Sequence, residues 1–213
     1  MLELKNFKKT YGSVTVLEID HLKISTGIYW IKGANGSGKS TLLKTLAGII
    51  NFEGEVLLNK TISVKKQPVA YRKLVNFAEA EPVFPEFLTG MELVKLFASA
   101  KNVSVKESEY YIESMGMSAY MSDAIGTYSS GMLKKLSLML AFLGKPSIIL
   151  LDEPLITIDA ASLEILYEWI THKKQQEELS FFLSSHQTLE TKNISLTGEL
   201  LVQNQTVNLL AND

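Results

Sequence analysis

Apolar positions along the chain alternate in short runs before they fall into helical spacing. Leu2-Glu3-Leu4, Val14 to Ile19 and Leu22-Lys23-Ile24 each carry the two-residue period of a half-buried strand. After Gly27, Ile28-Tyr29-Trp30-Ile31 is apolar throughout, as expected of a strand buried on both faces. A glycine-rich turn follows, and then Leu42, Leu43, Leu46, Ile49 and Ile50 fall on one helical face, with Gly48 weakening the last turn. Residues 51–66 read as a hairpin, with Glu53-Gly54 and Asn59-Lys60 as turns, and Val75 to Ala78 as a further strand.

From Phe84 to Tyr128 the period becomes helical, in Met91 to Phe97 and again in Lys106 to Met115. Prolines 82 and 85 and Gly126 bracket this block, which reads as a helical insertion. Beyond it come a helix (Leu133 to Leu143), a strand (Ser147 to Leu151), a helix (Ala160 to Lys173), a strand (Leu179 to Ser184) and a strand pair (Leu200 to Leu210). Strands alternating with helices predict βαβ units and a mainly parallel sheet. The expected fold class is α/β, with a small antiparallel β region from residues 1–30 and 51–66. Residues 1–213 read as one domain, in which 1–79 and 131–213 form the core and 80–130 a helical subdomain.

Composition narrows the chemistry. With no cysteine in 213 residues, disulfides, thiolate metal sites and a cysteine nucleophile are excluded. Twenty-one Lys and Arg against 23 Asp and Glu leave a formal charge of −2, which speaks against a nucleic-acid partner. Mean hydropathy is slightly positive at +0.10. Yet the richest apolar stretch, Leu136 to Leu151, is broken by Lys145-Pro146 and falls short of the ~18 residues needed to cross a bilayer. The opening residues have no apolar core of signal-peptide length, so a cytoplasmic location is expected.

The strongest chemical signal is Gly33-Ala34-Asn35-Gly36-Ser37-Gly38-Lys39-Ser40-Thr41, set between a strand and a helix. Glycines let consecutive N–H groups wrap phosphate oxygens, and the helix adds its positive end. Lys39 is then expected on the β- and γ-phosphates and the Ser40 hydroxyl on Mg²⁺. An exposed Gly/Ser turn is the plain alternative. Ile148-Ile149-Leu150-Leu151-Asp152-Glu153 supplies an apolar strand ending in two carboxylates. Asp152 is the expected second metal contact, and Glu153 the group that orients the attacking water in phosphoryl transfer.

On these motifs the chain resembles the nucleotide-binding subunit of ATP-binding cassette (ABC) transporters, a P-loop NTPase fold. Tyr128-Ser129-Ser130-Gly131-Met132 stands where that family carries its signature segment, and the resemblance implies that Ser129, Ser130 and Gly131 meet ATP held by the other subunit of a dimer. Tyr11 resembles the aromatic that stacks on adenine, Thr157-Ile158-Asp159 the loop that crosses the dimer interface, and His186 the switch histidine that senses the γ-phosphate. The likeness runs from about Leu2 to Leu189.

Three departures accompany it. Glu79 stands where a glutamine usually links Mg²⁺ and water to the membrane partner, while Tyr128 and Met132 match signature branches that often serve antibiotic-resistance or drug-efflux systems. The third departure lies after His186, where Thr188 to Ser195 is shorter than the family's usual helix and only Gly198 resembles its turn. The resemblance implies ATP hydrolysis with Mg²⁺ by a homodimer or heterodimer at the inner face of the cell membrane. It drives a separate polytopic subunit, whose cytoplasmic helix docks near Glu79 to Leu96. A cytosolic non-transport ABC ATPase, a subunit that binds ATP but hydrolyses it poorly, and a small-molecule kinase stand as the alternatives.

Overall fold

The computed structural model describes residues 1–176, 178–186 and 194–211. The end of the resemblance at Leu189 and most of the Thr188 to Ser195 segment lie outside them.

Two sheets form. The first is antiparallel: β1 (Leu2–Tyr11) lies between β2 (Val14–Ile24) and β4 (Glu53–Leu58), and β5 (Ile62–Ser63) extends it. The three short strands expected before Gly27 are thus two long ones. Glu53-Gly54 is not a turn but the start of β4. Asn6 takes a positive φ of 46° as the β1–β4 register shifts, and a Cβ on Gly54 would sit 2.0 Å from the Asn6 carbonyl oxygen. Only glycine fits so close a backbone approach, so the residue serves the bulge. Asn59 and Lys60 do turn the chain, both at positive φ as a tight hairpin demands.

The second sheet has the order β10-β9-β3-β8-β7-β6. Its members are β3 (Ile28–Lys32), β6 (Val75–Ala78), β7 (Ile148–Asp152), β8 (Ser180–Ser184), β9 (Gly198–Gln203) and β10 (Thr206–Ala211). All neighbours pair in parallel except β10 with β9. Residues Ile28–Lys32 therefore belong to the parallel sheet, which trims the antiparallel region expected for residues 1–30.

Burial on both faces explains the unbroken apolar strands. Ile28, Trp30, Ile149, Leu151, Phe181 and Leu183 point into one core, which they share with α5 (Ser130–Phe142), α6 (Ala160–Gln176) and the helical block. Their neighbours Tyr29, Ile31, Ile148, Leu150 and Phe182 point into the other, with α1 (Lys39–Leu46) and the antiparallel sheet. The helical block holds α3 (Gly90–Lys101) and α4 (Glu107–Ser114), and Tyr111 packs edge-on to Trp169 of α6 at 4.8 Å. Helix α2 (Pro68–Leu74) was not expected from the pattern, since Tyr71 is its one buried residue.

Candidate nucleotide site

The carboxyl ends of β3, β8 and β7 lie side by side, the edge of an open α/β sheet at which ligands bind. From β3 the chain enters the phosphate loop. Gly38, just before α1, takes φ 107°, a left-handed conformation costly for other residues, and a Cβ there would meet Val16 Cγ1 at 3.1 Å. The Ser37 N–H closes the loop on the Ala34 carbonyl at 3.1 Å. No acidic residue occupies the first turn of α1, so the positive end of the helix is left for an anion.

Lys39 is 5% exposed and folds back over the loop. Its ammonium donates to the carbonyls of Gly33 at 2.9 Å and Ala34 at 3.2 Å, and it lies 3.3 Å from His186 Nε2. Burial pulls its pKa below the ordinary lysine value, while the charges of Glu153 and Asp152 oppose the shift.

At the end of β7 one hydroxyl holds the Asp152 carboxylate and the main chain of Glu153. Ser184 Oγ donates to Asp152 Oδ1 at 2.6 Å and accepts the Glu153 N–H at 3.0 Å. Glu153 sits at φ 45°, a strained backbone for a residue with a side chain. Its Oε2 accepts the His186 N–H at 3.3 Å. Its Oε1 lies 3.2 Å from His186 Nε2, an ion-pair distance without hydrogen-bond alignment, so this buried oxygen has no hydrogen-bond donor. A water could satisfy it.

These groups border a cleft of about 420 Å³ that holds Asn35, Gly36, Gly38, Lys39, Ser40, Thr41, Glu153 and His186. Gly33 and Ser37 complete the loop behind it, where Ser37 Oγ is buried without a partner. Asp152 lies beneath Glu153, 1% exposed. Val16, which the sequence pattern did not single out, also lines the cleft.

The remaining expected residues lie elsewhere. Tyr11 ends β1, half-exposed, with the Lys9 ammonium 4.4 Å over its ring. Glu79 follows β6, and its carboxylate is 3.4 Å from Lys44 Nζ. It faces a separate hollow of about 480 Å³ shared with Ile49, Val83, Phe84 and Phe97. Ser129 and Ser130 are exposed at the start of α5, and Ser129 Oγ accepts the Met132 N–H at 3.3 Å as the helix cap. Gly131 abuts the next loop, where a Cβ would stand 3.0 Å from the Thr157 carbonyl.

A glycine loop on a helix N-terminus, beside a carboxylate pair at the carboxyl edge of a parallel sheet, defines a nucleotide-binding domain of the P-loop NTPase class. The sequence model of the ABC transporter family matches residues 18–156, and the chain belongs to that family. It is 28% identical over 198 residues to the bacitracin transport ATP-binding protein BcrA of Enterococcus faecalis, an alignment covering 92% of this chain and 64% of BcrA. The chain spans similarly limited shares, 64% and 62%, of two Bacillus subtilis ATP-binding proteins at 27% identity. Among solved structures, an ATP-binding subunit of an ABC transporter matches with a TM-score of 0.89 at 25% identity, over 100% of this chain and 90% of that one. A dimeric ATP-binding cassette in a post-hydrolysis state with ADP and Pi matches in fold with a TM-score of 0.87 at 20% identity, over 99% and 98% of the two chains.

Proposed function

We propose that the chain is the ATP-binding and ATP-hydrolysing subunit of an ABC transporter, working as a dimer with a separate membrane subunit. The carrying observation is the gathering of Lys39, Glu153 and His186 around one cleft at the open end of α1. The phosphate loop and the α1 N-terminus would hold the triphosphate, with Lys39 moving from its carbonyl partners onto phosphate oxygens. Tyr11, at the end of β1, would take the adenine.

Ser40 and Asp152 fit a Mg²⁺ ion as hard oxygen donors. Among the described residues no cluster of three His, Cys, Asp or Glu side chains could hold a metal, so the remaining ligands would come from phosphate and water. Bound there, Mg²⁺ would neutralise charge developing on the phosphates. Glu79, held by Lys44, would reach this ion only on releasing that pair.

Glu153, with one buried oxygen lacking a donor, would orient the attacking water. His186 would contact the γ-phosphate from the loop after β8. Ser129, Ser130 and Gly131 open a helix outside their own chain's cleft, and so are free to complete the site of a second copy. The fold-level match to a dimeric cassette supports that arrangement.

The 480 Å³ hollow beside Glu79, edged by exposed Val83, would receive a helix of the membrane subunit. Among the described residues no helix is long and apolar enough to cross a membrane. The proposed location is the cytoplasmic face, docked on such a subunit. Residues 80–130 would act as the coupling subdomain on the core formed by 1–79 and 131–213. The likeness to a bacitracin transport protein, with Tyr128 and Met132 in the signature, puts peptide antibiotics first among cargoes to test.

The test is Mg²⁺-dependent release of phosphate by the purified chain, set beside Glu153→Gln. The variant should retain ATP binding and lose hydrolysis by about 10²-fold or more. Wild-type turnover in the variant would remove Glu153 from the chemistry, and a wild-type chain that neither binds nor hydrolyses ATP would overturn the function.

A further inference from the structure

Lys134 is the fully buried charged side chain of α5, at 0% exposure, although it stands next to Lys135 in the sequence. It heads the buried stripe Lys134, Ser137, Leu138 and Ala141. Its ammonium donates to three main-chain oxygens: Glu79 at 2.9 Å, Ala80 at 3.2 Å and Asp152 at 2.9 Å. Every N–H of the buried cation is thereby used, which is the condition for tolerating such a charge away from water. Two of the acceptors lie in the loop after β6, 55 and 54 residues before Lys134, and the third is the last residue of β7, 18 residues after it.

We propose that Lys134 is a positioning residue that ties the Ser129–Gly131 segment to the main chain of Glu79, Ala80 and Asp152 in the same chain. The segment serves the partner's nucleotide, whereas Asp152 belongs to the chain's own site. Lys134 therefore links occupancy of one site to the geometry of the other and makes the two sites of the dimer cooperative. The inference rests on the dimeric ATPase reading above.

The experiment compares wild type, Lys134→Met and Lys134→Gln as full chains. Steady-state hydrolysis over a range of ATP should give wild type a Hill coefficient above about 1.5. For Lys134→Met it should fall to about 1, with kcat about tenfold lower and the ATP concentration at half-saturation within about threefold. The Gln variant, whose amide can still donate twice, should recover part of both and keeps the test open if the Met variant does not fold.

Hydrogen exchange gives a readout independent of turnover. ATP should slow exchange in peptides covering Glu79–Ala80 and Ser129–Met132 together in wild type, and only around the phosphate loop in Lys134→Met. Loss of rate with unchanged cooperativity and unchanged coupled protection would reduce Lys134 to a packing role and overturn the proposal. A wild type showing no ATP-dependent protection anywhere would instead overturn the nucleotide-binding function itself.

Discussion

Lys39 Nζ and His186 Nε2 lie 3.3 Å apart, and the same imidazole nitrogen lies 3.2 Å from Glu153 Oε1. One nitrogen cannot serve both neighbours. Without its proton it accepts from Lys39; with it, Lys39 faces another N–H, and Glu153 Oε1 has no aligned donor in either state. The Lys39–His186 contact is therefore satisfied in only one state of the imidazole, and an anion on Lys39 would replace it. His186→Ala should lower kcat by about 10²-fold, with ATP affinity within about threefold, because the ring would act on the reacting phosphate more than on the bound ground state. Rapid-mix phosphate release and equilibrium nucleotide binding separate the two; an equal loss in both would make His186 a binding residue.

The exposed Ser129 and Ser130, standing apart from the cleft of their own chain, lead to a complementation test. Ser129→Arg destroys the signature segment and Lys39→Ala the phosphate site, so each homodimer has two broken composite sites. Mixed in equal amounts, half of the dimers would be heterodimers with one intact site each. The mixture should reach about a quarter of wild-type hydrolysis if sites fire independently and far less if both must close together. Activity no higher than that of either variant alone would exclude composite sites that fire independently across a dimer.

What could be read from the sequence was local. The phosphate loop lies on nine consecutive residues between a strand and a helix, so its pattern carries its own context. The Ile28–Ile31 run announces a strand buried on both faces because no polar position interrupts it. Ser184 gives no such signal. It reads as the polar end of an apolar strand, and its hold on Asp152 and Glu153 exists only because β7 and β8 pair with Asp152 opposite Ser184. Lys134 and Lys135 are likewise indistinguishable in sequence: the phase of α5 buries one and leaves the other paired with Asp159 at 3.0 Å. Gly54 shows the opposite failure, for a dipeptide that suits a turn was placed in a strand by a close approach from β1.

Glu79 offers a test of a departure from the family pattern. Its carboxylate, partly exposed, pairs with Lys44 at 3.4 Å, and a pair of this kind is worth at most about 1 kcal/mol. Glu79→Gln should therefore change thermal stability little. Hydrolysis without a membrane subunit should stay within about twofold of wild type or rise, since the Glu79 carboxylate faces a hollow separate from the nucleotide cleft and only a negative charge is removed there. A collapse in rate would assign Glu79 a direct part in the chemistry.

Lys101 supplies a pH-dependent prediction far from the nucleotide. At the end of α3, its ammonium donates to the carbonyls of Arg72 and, at 3.0 Å, Val75, joining the helical block to α2 and β6. Burial pulls its pKa from the ordinary 10.5 down to about 8. Between these values the unfolded chain keeps a proton that the folded chain has released, so this group makes folding more favourable as pH rises from about 8 toward 10.5. Lys101→Met removes the two hydrogen bonds at every pH and abolishes only this titration. The stability of wild type minus that of the variant should thus grow between pH 7.5 and 10 by on the order of 1 kcal/mol, a figure kept small because the amine is partly solvated. Urea unfolding of both proteins at several pH values measures the difference, and the other titrating groups largely cancel in it. A difference that stays flat or shrinks across this range would mean that the ammonium titrates at its ordinary value and that the α3 junction is open to water.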